Sequence, residues 1–374
     1  MQTSFSRRRF IFVASAIAVG GGRLARLQSQ DVRIANSTQL EWHDVRDWGV
    51  EGKGWQDTEK YFDRLPGRAK GKVRDAVWNL SRHSAGMLTR FRTDAQGIWV
   101  DYEVTNKNIA MPHMPATGVS GVDLYADISD GQWRWLSVSK PTSEHTNAQL
   151  IAELAPGNRA YTAYLPLYNG TEFLKIGVPK GATFEGIVPR KDKPLVFYGT
   201  SITHGACASR PGMPHPAILG RRLQRPVVNL GFSGNGRMES EVGDFLTDVD
   251  AAVFVIDCLP NMKGADVTQR AVPLVKQLRS ARPETPILLI EDRTYPNAYL
   301  LPKRQAAQED NRAALQAAYQ QLQNDGFGRL GYVRGEELLG ADRDDTTDGS
   351  HPSDLGFYRQ ADAIEKELRK LLAT

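Results

Sequence analysis

The sequence predicts an α/β protein in which an antiparallel, jelly-roll-like β-sandwich precedes a parallel five-stranded sheet. Between about residues 31 and 185, short runs alternate apolar and polar residues and are separated by Gly, Pro, Asn or Asp, which is typical of antiparallel strands. From about residue 194, continuous apolar runs alternate with helical segments, which is typical of parallel strands buried on both faces. A length of 374 residues fits two domains.

The first half is predicted to be a β-sandwich domain over residues 31–185. A helix is expected to interrupt it near residues 68–78. Its clearest period-two strands are expected at residues 87–93, 97–104, 132–138 and 159–167.

The second half, residues 194–374, is predicted to be a doubly wound domain. A segment rich in proline and glycine, residues 178–194, is interpreted as a linker. Strands are expected at residues 195–198, 226–230, 251–256, 286–290 and 331–333. Helices are expected at residues 216–223, 239–246, 266–280, 302–325 and 353–372.

Residues 1–30 have the composition of an export signal. Ser6-Arg7-Arg8-Arg9-Phe10 resembles the twin-arginine pattern, and the apolar run that follows, residues 10–19, is too short to span a bilayer. We therefore expect a periplasmic or secreted protein with no membrane span in its mature form. The alternatives are a basic tail without a targeting role and an anchor that is not cleaved.

The rest of the chain is close to neutral. Without the five arginines among residues 1–26, 42 basic residues face 43 acidic residues. This balance argues against a nucleic-acid or anionic-membrane partner.

Cys207 and Cys258 both follow strands that are expected to be neighbours in the sheet. In an oxidising compartment they could form a disulfide, and the alternative is two buried free thiols. No Cys-x-x-Cys motif or histidine cluster accompanies them, so no metal is predicted. No cofactor is predicted either, because the glycine-rich segments match neither a P-loop nor a dinucleotide fingerprint.

Ser201 is the candidate nucleophile. It lies in Gly199-Thr-Ser-Ile-Thr-His-Gly205, directly after a buried strand, and the carboxyl ends of such strands are where open α/β sheets bind ligands. The segment is not the Gly-x-Ser-x-Gly elbow, because Thr203 fills the last position. The alternative role for Ser201 is an N-cap.

His351 is the candidate base, and Asp348 is the candidate residue that orients it. Among the seven histidines, only His351 has an acid three residues earlier and a helix starting just after it. An aspartate on one imidazole nitrogen leaves the other free to face a serine hydroxyl. His204 and His215 lie near Ser201 in the sequence and could line the pocket. Asp348-Gly349 could alternatively be a plain turn.

Two further strand ends could supply donors to a developing oxyanion. A glycine-rich turn containing Gly234 follows the second strand, and Asn261 follows the third. A glycine N–H and an asparagine amide can both stabilise such a charge. The alternative in both places is an ordinary turn.

These blocks together resemble the SGNH (GDSL-like) hydrolase superfamily. Gly199-Thr-Ser-Ile is similar to its first block with threonine in place of aspartate, and the segment before Asn261 departs from the usual Gly-x-Asn-Asp. The resemblance implies a flavodoxin-like fold and a triad of Ser201, His351 and Asp348. It also implies an oxyanion hole made by the N–H groups of Ser201 and Gly234 and the Asn261 amide.

A second set of motifs is similar to a bacterial subgroup with an N-terminal β domain that carries Gly-x-Asp-Leu-Tyr, here Gly121-Val-Asp-Leu-Tyr125. The resemblance implies an ester hydrolase whose substrate is an acylated carbohydrate or a small ester. We expect removal of a short acyl group, acetyl, from a carbohydrate. The alternatives are a lipase or thioesterase with the same mechanism and a non-catalytic carbohydrate-binding protein.

Two groups of side chains could contact a sugar. Trp99, Trp133 and Trp135 could stack on it, or belong to the core. Arg210, Arg237 and Arg293 could bind an acidic sugar, or form structural ion pairs.

Overall fold

The computed structural model of the protein describes residues 39–129 and 131–373. The twin-arginine-like segment therefore lies outside the described residues. Among the described residues, no helix is both long and apolar enough to cross a bilayer.

The alternating runs of the first half form two antiparallel sheets. One has the strand order β1-β8-β3-β6, and the other has the order β5-β4-β7-β2-β9. The strands are β1 (Leu40–Asp44), β2 (Leu88–Thr93), β3 (Ile98–Val104), β4 (Asp123–Asp127), β5 (Trp133–Val138), β6 (His145–Ile151), β7 (Arg159–Tyr164), β8 (Thr171–Pro179) and β9 (Phe184–Ile187). Inward residues such as Val100, Leu124 and Tyr161 share one buried cluster, so the predicted sandwich is confirmed.

The second half forms a parallel sheet with the strand order β11-β10-β12-β13-β14, which is the flavodoxin-like order. Its strands are β10 (Leu195–Gly199), β11 (Val227–Gly231), β12 (Val253–Asp257), β13 (Ile287–Ile290) and β14 (Leu330–Val333). Every residue of β10, β11 and β12 is buried, as expected for strands covered on both faces.

The helices cover both faces of this sheet. Residues of α4 and α8 pack in one cluster, and residues of α5, α6 and α7 pack in the other. The α-helices of the described residues are α1 (Asp75–Ser81), α2 (Ala116–Val119), α3 (Ser201–His204), α4 (His215–Arg222), α5 (Ser240–Leu246), α6 (Gly264–Ala281), α7 (Pro302–Asn324) and α8 (Asp354–Leu372). The five expected helices of this half are confirmed with small shifts at their ends.

Two local predictions are wrong. The expected helix at residues 68–78 begins only at Asp75, because Gly71 has a φ of +72° and interrupts the helical path. The expected linker at residues 178–194 contains β9, which pairs with β2. The sequence of β9 is short and contains a glycine, so it has no local strand pattern. It forms a strand because it pairs with β2, which is distant in the chain.

A buried arginine joins the two halves. Arg64 is 1% exposed and donates to Asn229 O at 3.0 Å and Gly231 O at 2.8 Å, both in β11. It also donates to Leu80 O at 2.6 Å and His83 O at 2.9 Å. Burial lowers the pKa of Arg64 to about 9, so its guanidinium still carries its proton at neutral pH. Its charge is compensated by four backbone carbonyl oxygens, two of them in β11.

Replacing this arginine should destabilise the whole fold. In Arg64→Leu, buried carbonyls lose their donor, and we expect the free energy of unfolding to fall by about 3 kcal/mol. Urea unfolding followed by tryptophan fluorescence measures the change. Arg68→Leu is the matched control, because Arg68 is 42% exposed and its ion pairs with Asp57 and Asp248 are on the surface. The control should change stability by less than about 1 kcal/mol, and equal losses in the two variants would contradict this account of Arg64.

Candidate active site

Ser201 lies at the carboxyl end of the central strand β10, as the first residue of the short helix α3. The N-cap is Thr200, whose hydroxyl accepts from Ile202 N–H at 3.3 Å, so the alternative role for Ser201 as the cap does not hold. Ser201 is 8% exposed, and its N–H is in the first turn, where no preceding helical carbonyl can accept it. The hydroxyl and this N–H therefore occupy one rim of the sheet.

Ser201, His351 and Asp348 form a continuous hydrogen-bonded chain. Ser201 Oγ lies 2.9 Å from His351 Nε2, and His351 Nδ1 lies 2.8 Å from Asp348 Oδ2. With the Nδ1 proton donated to the carboxylate, Nε2 is left to accept from the serine hydroxyl. A nucleophile, a base and an orienting carboxylate in this order can carry out acyl transfer.

The loop of Asp348 holds its carboxylate in the ionised form. Burial opposes ionisation, but the N–H of His351 at 2.8 Å, the imidazole, and the N–H of Ser350 at 2.9 Å lower the pKa of Asp348 below its ordinary value. Thr347 N–H also donates to His351 O at 2.8 Å, which closes the loop. The histidine is thus oriented by both backbone and side chain.

Arg293 donates hydrogen bonds to the loop of Asp348, a contact that was not predicted. It is 2% exposed, pairs with Asp292, and donates to Ser350 O at 2.9 Å and Ser350 Oγ at 2.6 Å. Arg293 is therefore a structural residue, whereas the sequence left a sugar contact open. Only the position of Arg293 after β13 hinted at a place near the site.

The two further candidate donors lie on loops after β11 and β12. Gly234 is exposed with a φ of +69°, and a Cβ placed there would meet no atom within 4 Å, so the space over this residue is open. The Asn261 carboxamide, oriented by its hydrogen bonds, accepts from Asn235 N–H at 3.0 Å and Gly236 N–H at 3.2 Å. This leaves its NH₂ group available as a donor and ties the two loops together.

His204 and His215 do not line the pocket, because both are fully buried. His204 stacks on Tyr168 with ring centres 4.1 Å apart, and its Nε2 lies 2.7 Å from Leu167 O. His215 packs against Phe197, and burial lowers its pKa to about 3. Both histidines are core groups.

Tyr168, a residue of the first half, contacts the nucleophile turn. Its hydroxyl donates to Ser201 O at 3.2 Å. No local pattern predicts this contact, since Tyr168 lies 33 residues earlier in the chain. The β-sandwich thus takes part directly in positioning Ser201.

The Gly-Val-Asp-Leu-Tyr motif fastens the loop that follows α3. Asp123 is fully buried and accepts from Gly212 N–H at 2.8 Å, Arg210 Nη1 at 3.0 Å and Trp135 Nε1 at 2.9 Å. The Arg210 guanidinium also lies 4.8 Å from the Trp135 ring centre. Arg210 and one edge of Trp135 are therefore engaged in structure.

The other side chains that could contact a sugar, Trp99, Trp133 and Arg237, differ in exposure. Trp99 and Trp133 are partly buried, and Trp133 packs on a small cluster around Tyr164. Arg237 is exposed and donates to Gly234 O at 2.8 Å and 3.1 Å, so it fixes the loop of a candidate donor.

Cys207 and Cys258 are both free and buried, so the disulfide alternative is wrong. Burial, together with the nearby Asp348 charge, raises the pKa of Cys207 to about 11. The thiol is therefore protonated at neutral pH and does not compete with Ser201 as a nucleophile.

Two family comparisons together cover most of the described chain. Residues 192–369 match the GDSL-like Lipase/Acylhydrolase family, and residues 40–184 match the N-terminus of Esterase_SGNH_hydro-type, called GxDLY. No curated protein matches the chain.

Solved structures show the same architecture over nearly the whole chain. A protein named as a GDSL-like lipase from Bacteroides ovatus is 31% identical with a TM-score of 0.85, over 90% of this chain and 98% of that one. The salicylyl-acyltransferase SsfX3 of a tetracycline biosynthetic pathway is 20% identical with a TM-score of 0.71, over 89% and 97%. A family two carbohydrate esterase from Cellvibrio japonicus is 12% identical with a TM-score of 0.57, over 90% and 98%.

The strand order, the two family matches and the 31% identical relative lead to one conclusion: this chain is an ester hydrolase that belongs to the GDSL-like lipase/acylhydrolase family and carries the GxDLY-type N-terminal domain.

Proposed function

We propose that the protein is an exported serine esterase that removes short acyl groups, acetyl above all, from a carbohydrate. The observation that carries the proposal is the chain from Ser201 Oγ through His351 to Asp348, with links of 2.9 Å and 2.8 Å. Such a chain generates a nucleophile from a hydroxyl at neutral pH.

The reaction has two steps. Ser201 Oγ attacks the acyl carbon while His351 Nε2 takes its proton, and the same proton then goes to the leaving sugar oxygen. Water next attacks the acyl-enzyme, His351 again takes a proton, and the acid product leaves as the proton returns to Ser201. Asp348 stays ionised throughout, as its lowered pKa requires, and stabilises the imidazolium.

We assign the oxyanion hole to the N–H groups of Ser201 and Gly234 and the Asn261 amide. Asn261→Ala removes one side-chain donor, and we expect kcat for p-nitrophenyl acetate to fall by about 10²- to 10³-fold with little change in KM. Asn324→Ala is the control, because that exposed asparagine ends α7 and is not on the loops after β11 and β12. An unchanged kcat in Asn261→Ala would contradict the assignment of this donor.

The carbohydrate substrate is supported by neighbours in structure. Besides the Cellvibrio japonicus enzyme, a family two carbohydrate esterase from Clostridium thermocellum, solved with cellohexaose, has a TM-score of 0.52 at 14% identity. The open space at Gly234 and the 23% exposure of the His351 side chain are compatible with an acyl group on a bulky polymer.

A longer-chain acylhydrolase is the second candidate, and one surface feature favours it. Tyr299, Leu300 and Leu301 are 63%, 72% and 41% exposed, and they follow Asn297, whose side chain lies against Gly349 in the loop of the triad. An exposed apolar cluster beside an active site can receive a lipid chain.

Chain-length profiling separates the two candidates. With p-nitrophenyl esters from acetyl to palmitoyl, the proposed function predicts that kcat/KM is highest for acetyl and that acetate is released from acetylated polysaccharides. Leu300→Ser should leave acetyl ester hydrolysis unchanged. A maximum at long chains, lost in Leu300→Ser, would favour the acylhydrolase.

We also propose export through the twin-arginine pattern at Arg7 and Arg8. The double variant Arg7→Lys, Arg8→Lys should retain the protein in the cytoplasmic fraction of a bacterial host. Equal amounts of periplasmic enzyme with both sequences would contradict export by this route.

A further inference from the structure

Four potential metal ligands meet beside the triad. One nitrogen of His113, one nitrogen of His351, the sulfur of Cys207 and a carboxylate oxygen of Asp348 all lie within 4.8 Å of one another. Along the chain, His113 and Cys207 are 94 residues apart, and Cys207 and Asp348 are 141 residues apart, so no sequence motif signals the cluster. Cys258, the other thiol, is not part of this cluster.

The two residues outside the triad are held toward it by the backbone. Cys207 follows α3, is 7% exposed and has a φ of +68°, a left-handed conformation that costs free energy for any residue with a Cβ. His113 lies in a turn closed by two hydrogen bonds of 3.0 Å between Met111 and Met114, and its ring centre is 6.0 Å from that of His351. The left-handed backbone at Cys207 and the turn that holds His113 thus place a thiol and an imidazole beside the triad.

We propose that Cys207, His113, His351 and Asp348 form a binding site for a thiophilic divalent cation such as Zn²⁺, and that its occupation switches the esterase off. A set of one sulfur, two imidazoles and one carboxylate suits Zn²⁺ rather than the oxygen-preferring Mg²⁺. Tetrahedral zinc needs ligand atoms about 3.3 to 3.8 Å apart given bonds of about 2.0 to 2.3 Å, so small side-chain rotations, above all of exposed His113, complete the site.

Metal binding at this site would release one proton and break one link of His351. The metal binds the Cys207 sulfur as thiolate, so one proton leaves to the solvent, and the thiolate and the Asp348 carboxylate together offset the two positive charges. If the metal takes Nε2 of His351, the link to Ser201 is broken, and if it takes Nδ1, the link to Asp348 is broken. Either way the base is lost from the chain that the proposed function uses.

Binding is tested with the metal alone, so the result does not depend on the proposed function. Isothermal titration of the purified chain with ZnCl₂ should show one ion per chain, and Ser201→Ala should bind equally. His113→Gln and Cys207→Ser should each weaken binding by at least about 10-fold, since each removes one ligand. His145→Gln is the matched control, because His145 is an exposed histidine of β6 that pairs with Asp101, and it should bind like the unchanged protein.

Inhibition is tested by p-nitrophenyl acetate hydrolysis, with each protein normalised to its own rate without metal. Zn²⁺ should inhibit the unchanged protein, EDTA should restore its rate, and Mg²⁺ should have no effect. His113→Gln should need at least about 10-fold more Zn²⁺ for half inhibition. Binding or inhibition that is the same in His113→Gln and Cys207→Ser as in the unchanged protein would overturn the site, and because His113 is exposed, that variant keeps the test valid even if Cys207→Ser folds poorly.

Discussion

Ser201→Ala should lower kcat for p-nitrophenyl acetate by about 10⁴- to 10⁶-fold, the largest effect that we expect from any single substitution in this chain. The alanine removes the oxygen that we propose is acylated, while the strand β10, the Thr200 cap and the Tyr168 contact to the backbone remain. The residual rate should be that of the oxyanion donors and binding alone.

The control for this substitution is Ser240→Ala, which changes an exposed serine at the start of α5. It should keep the full rate. Both variants should unfold at nearly the same urea concentration as the unchanged protein, so that the loss in Ser201→Ala reports chemistry rather than folding. A Ser201→Ala variant that retains most of its activity would contradict the assignment of the nucleophile.

Asp348→Asn should lower kcat by about 10⁴-fold while leaving the loop in place. The asparagine oxygen can still accept from the N–H groups of Ser350 and His351, as the Asp348 Oδ1 does at 2.9 Å and 2.8 Å. Its NH₂ group, however, faces the imidazole with a donor, which favours the tautomer that carries its proton on Nε2 and cannot accept from Ser201. The defect is therefore in the base and not in the fold.

The lowered pKa of Asp348 also predicts how the stability of the protein depends on pH. Because the pKa of Asp348 is held below its ordinary value, the native carboxylate stays ionised through the neutral range, and its contribution to stability is lost only as the pH falls into the acid range. Asp344→Asn, an exposed residue four positions earlier, is the matched control and should retain the rate. A rate in Asp348→Asn within about 10-fold of the unchanged enzyme would show that another group orients His351.

The parallel half was predictable because its signals are local. Strand β10 is a continuous apolar run that ends in a glycine, and α8 begins just after Asp348 and His351. The apolar run and the helical spacing therefore predicted β10 and α8 near their observed limits. Parallel strands bring their carboxyl ends together at one edge of the sheet, and Ser201 follows one of them. His351 lies 150 residues later, in the loop before α8, and its Nε2 is 2.9 Å from Ser201 Oγ at that edge.

What the sequence did not reveal depends on contacts between distant segments. The buried Arg64 reads as an ordinary basic residue until β11 supplies its acceptors, and Tyr168 and His113 reach the site only because the β-sandwich packs beside it. In the same way, closeness in sequence placed His204 at the pocket, whereas α3 turns its ring into the core against Tyr168.

The central claim is that Ser201 is the residue that becomes acylated, and trapping the intermediate tests it most directly. The enzyme is mixed with p-nitrophenyl acetate, quenched with acid during the first turnover, digested and analysed by mass spectrometry. We predict one acetyl group on the peptide that contains Ser201, and none in the Ser201→Ala variant. Turnover with the acetyl group on another residue, or with no acetylated peptide in a reaction that shows a burst of p-nitrophenol, would contradict the account.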